Sequence, residues 1–154
     1  MKNYTNYRRK PYYNPKRAVK TFQDLEIYQK ALELSVFVVK SLSQKKSKKI
    51  DPALETKKKI IDSLHICALK IPHLLVESHS KRFGTGTECL DILDEAMLQC
   101  NKAVAYLEQA RDICDTGVKW EDFDEKIKKY FYVRRKILNL QRVWKKYIQQ
   151  NKEN

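Results

Sequence analysis

The sequence predicts an all-α protein, an antiparallel up-down four-helix bundle with a disordered basic N-terminal arm. Three observations support this fold class. Only three glycines and four prolines occur in 154 residues, which leaves few positions for tight turns. Charged residues make up 33% of the chain, as is common in proteins of long helices. Apolar residues recur at three- and four-residue steps in four separate segments, and no convincing strand pattern competes with them.

The first twenty residues predict a flexible arm. They include seven Lys or Arg, four Tyr and no acid, a composition that cannot bury enough apolar surface to fold alone. They also lack the apolar segment of a secretory signal. We therefore expect an arm over residues 1–20, the bundle over residues 21–150, a tail over residues 151–154 and a cytoplasmic location. No run approaches the roughly 20 apolar residues of a membrane span, so we expect no membrane association.

The first helix is expected over residues 22–43, after a capping box formed by Thr21 and Asp24. Its apolar stripe consists of Leu25, Tyr28, Leu32, Val36, Val39 and Leu42. The second helix is expected to start at Asp51 and Pro52 and to end near His79. Its stripe includes Ile61, Leu64, Cys67, Ala68, Ile71, Leu74 and Leu75, and Pro72 predicts a kink.

The third helix, over residues 88–115, has the most regular pattern and is expected to be capped by Thr87. Small residues repeat every seven positions on one side of its seam: Cys89, Ala96, Ala103 and Ala110. A second row consists of Leu93, Cys100, Leu107 and Cys114. Leu90, Met97 and Val104 widen the apolar face, which predicts contact with more than one neighbour. Gly117 is expected to end the helix in the left-handed conformation.

The fourth helix, over residues 121–150, carries the charge pattern that points to function. Residues 126–152 include ten Lys or Arg and no acid, whereas residues 88–125 include eleven acids and three basic residues. The net charge of +13 predicts attraction to polyanions, of which nucleic acid is the commonest. Plain solubility is the alternative interpretation. We expect phosphate contacts from Arg8, Arg9, Lys10, Lys16, Arg17, Lys20, Lys128, Lys129, Arg134, Arg135, Lys136, Arg142, Lys145 and Lys146. The tyrosines of the arm could stack on unpaired bases.

Enzyme chemistry has no support in the sequence. The four cysteines lack CxxC spacing, and His65, His73 and His79 form no known metal-ligand pattern. The Gly-Thr-Gly at residues 84–86 is too short to cradle a phosphate. Tyr130, Phe131, Tyr132 and Trp144 are expected to be packing residues. We therefore expect a protein without catalytic residues, metal or cofactor, and a catalytic role for Cys89 or the histidines is the remaining alternative.

Residues 22–31, FQDLEIYQKA, resemble the opening of the small four-helix-bundle proteins encoded in ribosomal RNA intervening sequences. That opening reads Phe-x-Asp-Leu-x-x-(Trp/Tyr)-x-Lys-Ala, and Ile71 and Pro72 match the group's Ile-Pro. Residues 93–96 (LDEA), residues 110–112 (ARD) and Glu77 are more similar to a related branch. This branch comprises the accessory variability determinant (Avd) proteins of diversity-generating retroelements. The resemblance covers about residues 21–148.

The resemblance implies a homopentameric, barrel-like assembly. In the Avd branch it also implies binding to a reverse transcriptase and its template RNA during mutagenic copying to complementary DNA. In the intervening-sequence branch it implies a structural or ribosome-associated role. The chain departs from both patterns, because IPHLLVES stands where the first branch has Ile-Pro-Ser-Asn-Ile-Ala-Glu-Gly, and Asn139-Leu140-Gln141 stands where the second has Gly-Gly-Trp. The choice of branch is therefore open at this point.

Overall fold

The computed structural model describes residues 19–84 and 86–154, and these residues form four helices without a strand. The helices are α1 (Glu26–Ser41), α2 (Leu54–Lys81), α3 (Glu88–Ile113) and α4 (Trp120–Lys152), and a short 3₁₀ turn, Phe22–Asp24, precedes α1. The predicted all-α class and the number of helices are confirmed. Of the predicted arm, Val19 and Lys20 are described and both are exposed. The rest of the arm lies outside the described residues.

Each helix packs against two others, so that the four surround one core. The packed pairs are α1 with α2, α2 with α3, α3 with α4, and α4 with α1, whereas the backbones of the diagonal pairs do not approach closely within residues 19–84 and 86–154. The largest fully buried side chains come from α2, α3, α4 and the residue that follows α1: Leu42, Leu64, Ile71, Leu75, Leu93, Leu107, Tyr130 and Ile137. Burial of these side chains supplies most of the stability of the fold.

The connectors show which helix ends lie together. The loop after α1 meets the loop after α3, because the backbone nitrogen of Lys45 donates to the Asp115 carbonyl (2.9 Å) and the Asp115 nitrogen donates to Gln44 Oε1 (3.0 Å). At the opposite end, the His79 ring near the end of α2 lies 6.4 Å from the Trp144 ring of α4. Gln141 of α4 donates to the Leu90 carbonyl in the first turn of α3 (3.0 Å). These contacts agree with helices that alternate in direction along the chain.

The predicted apolar stripe of α1 is wrong over most of its length. Leu32, Val36 and Val39 are 43%, 44% and 43% exposed. The buried side chains of α1 are instead Ile27, Ala31, Leu34, Ser35 and Val38. Residues 31–39 of this helix are apolar except Glu33 and Ser35, so two adjacent faces fit the same spacing. The face that includes Leu34 and Val38 lies in the core, and we call the residues Leu32, Val36 and Val39 the α1 stripe.

The predicted pattern of α3 is confirmed. Cys89, Ala96, Ala103 and Ala110 are all 0% exposed, and these small residues let the neighbouring helices approach closely. Met97 and Val104 are also buried, and α3 packs on both α2 and α4. The wide apolar face of α3 is therefore covered within one chain, apart from Leu98 and Ile113, which are each 46% exposed.

The helix ends differ from the predicted capping in three places. Thr21 and Asp24 do form a capping box, but it closes the 3₁₀ turn that precedes α1. Asp51 accepts a hydrogen bond from the Ala53 nitrogen (2.9 Å), and regular helix begins only at Leu54. Thr87 precedes α3 without a capping hydrogen bond from its side chain. α2 continues through Pro72 and ends at Lys81, two residues beyond the predicted end.

Gly117 adopts the left-handed conformation that the sequence predicts, but it lies in the loop between α3 and α4 and does not end α3, which stops at Ile113 with Cys114 in an extended conformation. The φ of +72° at Gly117 lies in the left-handed region, which disfavours side chains with a Cβ. The loop is also held by Lys57, whose ammonium contacts Asp51 Oδ2 (2.8 Å) and Asp115 Oδ2 (2.9 Å). These two carboxylates raise the pKa of Lys57. In residues 19–84 and 86–154, no helix combines the length and the apolar character of a transmembrane span.

Candidate nucleic-acid interface

An uninterrupted row of cations runs along the outer side of α4. Lys128, Arg135 and Arg142 follow at seven-residue steps, Lys146 comes one turn later, and all four are exposed. At about 100° per residue these positions fall within roughly 40° of each other around the helix. Eighteen residues separate Lys128 from Lys146, which is about 27 Å at ~1.5 Å per residue. We call these four residues the α4 stripe.

The α4 stripe continues onto α1 through an aromatic side chain. Three cations lie near the ring of Tyr132: Lys30 Nζ at 5.2 Å from the centroid, Lys136 Nζ at 5.4 Å and the Arg135 guanidinium carbon at 5.6 Å. The Tyr132 hydroxyl donates to Glu26 Oε1 (2.8 Å), and this bond raises the pKa of Tyr132. Tyr132 is thus held between α1 and α4, with cations from both helices around it. From the sequence, Tyr132 was expected to be a packing residue, and Lys30 was not among the residues expected to contact phosphate.

A shallow cavity lies beside Tyr132. Its volume is about 120 Å³, and it is lined by Lys30, Glu33, Leu34, Lys129 and Tyr132. The cavity is too small for a nucleotide, since small-molecule sites usually start near 300 Å³. Glu33 also lines it, so its charge is mixed. We therefore assign no ligand to this cavity and treat Tyr132 as part of the cationic surface.

Lys129 contributes less free charge than the sequence predicts, because it pairs with the last acid before the basic segment. Lys129 Nζ lies 2.9 Å from Glu125 Oε1, and Lys126 Nζ lies 3.5 Å from the same oxygen. The hydrogen bond with Glu125 raises the pKa of Lys129, and the same bond lowers the pKa of Glu125. An anion would have to compete with Glu125 for Lys129.

Arg134 is the clearest difference between the predicted and the observed interface. It follows Tyr130 by four residues and precedes Ile137 by three, and both of these neighbours are 0% exposed. Arg134 is half-buried, and its Nε is buried without a hydrogen-bond partner. Burial raises the pKa of the Cys100 thiol of α3, and the positive charge of Arg134 partly opposes this effect. Arg134 therefore lies at the edge of the core and faces outward less than Arg135 does.

The remaining predicted residues lie at the end of the bundle where α4 terminates. Lys145 and Lys146 are exposed on the last turns of α4, and Lys20 is exposed before the 3₁₀ turn. This turn packs on α1 and α2, and Asp24 within it is close enough to His79 to affect its pKa. Val19 and Lys20 thus lie at the end of the bundle that includes His79 and Trp144. The predicted contacts of Arg8, Arg9, Lys10, Lys16 and Arg17 lie outside the described residues.

The lysines of the loop after α1, and Lys57 at the start of α2, lie at the end of the bundle opposite to Lys146. Lys45 and Lys57 contact Asp115 in the loop that precedes α4. About 26 residues of helix, or roughly 39 Å, separate this end from Lys146. Acids also surround the start of α4, where Glu121 and Asp122 lie in its first turn. The lysines near this loop therefore lie far from the second half of the α4 stripe.

Burial disfavours the thiolate form of all four cysteines. Burial raises the pKa of Cys67 to about 11 and of Cys100 to about 12, and it raises the pKa of Cys89 and Cys114 as well. Raised pKa values make these thiols poor nucleophiles. Among the described residues, no three His, Cys, Asp or Glu side chains come together as metal ligands would.

Comparison with known proteins gives no further assignment. The chain matches no protein-family model, and no curated protein and no solved structure is significantly similar to it. The family resemblance therefore continues to rest on the short motifs in the sequence.

Proposed function

We propose that this protein is a nucleic-acid-binding accessory protein of the Avd type, which acts without catalysis in the cytoplasm. It holds template RNA or complementary DNA by charge and docks a reverse transcriptase of a diversity-generating retroelement during mutagenic complementary-DNA synthesis. The RNA-binding part is supported by the α4 stripe. The reverse transcriptase, the retroelement and the pentameric assembly are supported by the resemblance of the sequence motifs. The proposal includes an antiparallel up-down order of the helices and a flexible arm.

The α4 stripe carries the proposal. Like charges this close repel each other, which costs stability unless an anion neutralises them. An ordinary exposed helix carries acids among its cations, but none occurs between Lys126 and Lys152. The row is straight and about 27 Å long, so an extended phosphate backbone can contact several of its members at once. When these cations contact phosphates, counterions that were bound to the nucleic acid are released. This release gives affinity without sequence specificity.

The test is the binding of a structured RNA over a series of salt concentrations. Replacement of Lys128, Arg135, Arg142 and Lys146 by Gln removes four phosphate contacts. The slope of log K against log salt should then become shallower by about 3 to 4, at ~0.7–0.9 per contact. The matched control replaces four exposed lysines at the opposite end, Lys46, Lys48, Lys49 and Lys59, and removes the same net charge. A wild-type affinity that ignores salt, or an equal loss in both variants, contradicts the proposal.

The oligomeric part of the proposal is supported by the α1 stripe. Leu32, Val36 and Val39 are apolar side chains on one face of α1, and each is about 44% exposed. The wide face of α3, by contrast, is covered by α2 and α4. Light scattering on the purified protein measures the native mass directly. Co-purification with the reverse transcriptase encoded beside the gene tests the proposed partner, and a ribosomal RNA operon beside the gene would instead favour the intervening-sequence branch.

A further inference from the structure

A second surface, at the end of the bundle, contains two exposed aromatic rings in contact with each other. Phe83, just after α2, is 72% exposed, and Tyr147 of α4 is 49% exposed. Their ring centroids are 6.4 Å apart with an interplanar angle of 63°. Two exposed aromatic rings in contact form an apolar patch on the surface. Such patches often mark a binding site, because a ligand can cover the apolar area that water contacts in the free protein.

The two rings border a cavity of about 320 Å³. The side chains that line it are Arg82, Phe83, Tyr147, Ile148, Asn151 and Lys152. This volume falls at the lower end of the range for small-molecule sites, about 300–1,000 Å³. Among the described residues, no acid lines the cavity. Of the acids that flank it in sequence, Glu77 and Glu88 both pair with Lys81, at 3.2 Å and 2.6 Å, and Glu153 follows Lys152 at the end of α4.

Arg82 is held in place beside the cavity. Its Nη1 donates to the His79 carbonyl (2.6 Å) and lies 3.2 Å from His79 Nδ1. Burial lowers the pKa of His79, so its ring is neutral and its Nδ1 can accept a hydrogen bond. The guanidinium carbon of Arg82 lies 4.2 Å from the centroid of Phe83. One side of the Phe83 ring is thus covered by a cation, and most of the residue is still open to a ligand.

We propose that this cavity binds an unpaired base of single-stranded nucleic acid, which stacks on Phe83 and meets Tyr147 at its edge while Arg82 and Lys152 contact its phosphates. An aromatic platform among cations is how sequence-tolerant single-strand binders hold bases. A duplex keeps its base faces inside the stack and cannot use such a platform. Lys145 and Lys146 lie next to Tyr147 in the chain, so the backbone of a bound strand can continue onto the α4 stripe. The inference rests on the proposed nucleic-acid binding and adds that the ligand has an unpaired segment.

The test compares two short oligomers that carry the same number of phosphates, oligothymidylate and an abasic oligomer. Wild-type protein should bind oligothymidylate more tightly. Phe83→Ala should lower the affinity for oligothymidylate by about 5- to 150-fold, which corresponds to the loss of one stacked base. The same substitution should leave the abasic affinity and the salt slope unchanged. Tyr147→Ala should act in the same direction, and Phe83→Trp should retain oligothymidylate binding.

Trp120 provides a matched control at the opposite end of α4. It is 55% exposed, and the Arg111 guanidinium carbon lies 4.4 Å from its ring centroid. Arg111, however, is neutralised by Asp112 at 2.9 Å and Asp124 at 3.1 Å. An exposed ring beside an arginine is therefore present there too, but the charge of that arginine is paired with acids. Trp120→Ala should not change the affinity for either oligomer.

The possible results separate this inference from the function on which it rests. If both oligomers bind wild-type protein equally and Phe83→Ala changes neither affinity, the inference is overturned and the charge-based function stands. If neither oligomer binds wild-type protein, both proposals fall. If Phe83→Ala changes the native mass and leaves oligothymidylate affinity unchanged, the cavity is a contact between protein chains and the inference is overturned. Since Phe83 is largely exposed, its removal should preserve the thermal midpoint, which circular dichroism can verify.

Discussion

Two adjacent arginines on α4 should respond in opposite ways to the same substitution. Arg134 is half-buried with its Nε unpaired, whereas Arg135 is exposed on the α4 stripe. Replacement by Met keeps most of the apolar stem of the side chain and removes the charge and the donors. In Arg134→Met the change occurs beside the core, and in Arg135→Met it occurs at the proposed phosphate surface. Neither variant needs a different backbone.

The expected magnitudes follow from these two environments. A buried donor without a partner costs about 1–3 kcal/mol, so Arg134→Met should raise the free energy of unfolding by about that amount. For a chain of this size each kcal/mol shifts the thermal midpoint by about 2–4 °C. Arg135→Met should leave stability nearly unchanged, because exposed substitutions usually stay within about 0.5 kcal/mol. It should instead remove one phosphate contact and lower RNA affinity about five- to eightfold near 0.1 M salt.

Thermal and urea unfolding followed by circular dichroism measure the first effect, and filter binding of RNA measures the second. Both assays use the full chain and both variants side by side. A lower thermal midpoint in Arg134→Met would contradict the assignment of Arg134 as an unsatisfied group. An equal loss of RNA affinity in the two variants would show that Arg134 reaches the ligand, and the inward register of α4 at this position would be wrong.

Further predictions concern the α1 stripe, the α3–α4 loop and the pH dependence of stability. Val36→Asp should lower the native mass measured by light scattering, because it places a charge within the apolar face proposed for self-association. Gly117→Ala should lower the free energy of unfolding in urea by about 1–2 kcal/mol, since the φ of +72° is unfavourable for a residue with a Cβ. The pKa of His79 is lowered in the fold from an ordinary 6.5, so the unfolded chain takes up the proton first. Stability should therefore be full above pH 6.5, fall as the pH drops through this value, and level off below the folded pKa. Urea unfolding at several pH values should show a smaller fall in His79→Gln.

The sequence is sufficient to predict the number of helices and the packed face of α3. The regular spacing of Ala96, Ala103 and Ala110 allows only one buried face, and all three are buried. The same reasoning fails on α1, where Leu34 and Val36 are equally apolar and only the position of α2 and α4 decides between them. Spacing gives the period of a helix, but it does not give its rotation when apolar residues occupy two adjacent faces.

The candidate site was predictable in its charge and less so in its geometry. The ten cations of the last helix are evident from composition, and the seven-residue step from Lys128 to Arg135 indicates a shared face. Arg134 lies four residues after Tyr130 and therefore on nearly the same face of the helix. This spacing distinguishes it from Arg135, whereas a count of charges does not. Phe83 gives no such signal, because an isolated aromatic residue in a loop has no period. Its contact with Tyr147 joins residues that are 64 positions apart (147 − 83) and appears only in the folded chain.

The separation of acids and cations along α4 has a consequence for how a partner arrives. Glu121 and Asp122 lie at one end of this 33-residue helix, and Arg142, Lys145 and Lys146 lie towards the other. A nearby polyanion is repelled by one end and attracted by the other, so it experiences a torque before any contact forms. At physiological salt this field acts over about one Debye length, ~8 Å. Encounters should thus begin already aligned, with an association rate that falls as salt rises and a dissociation rate that changes much less.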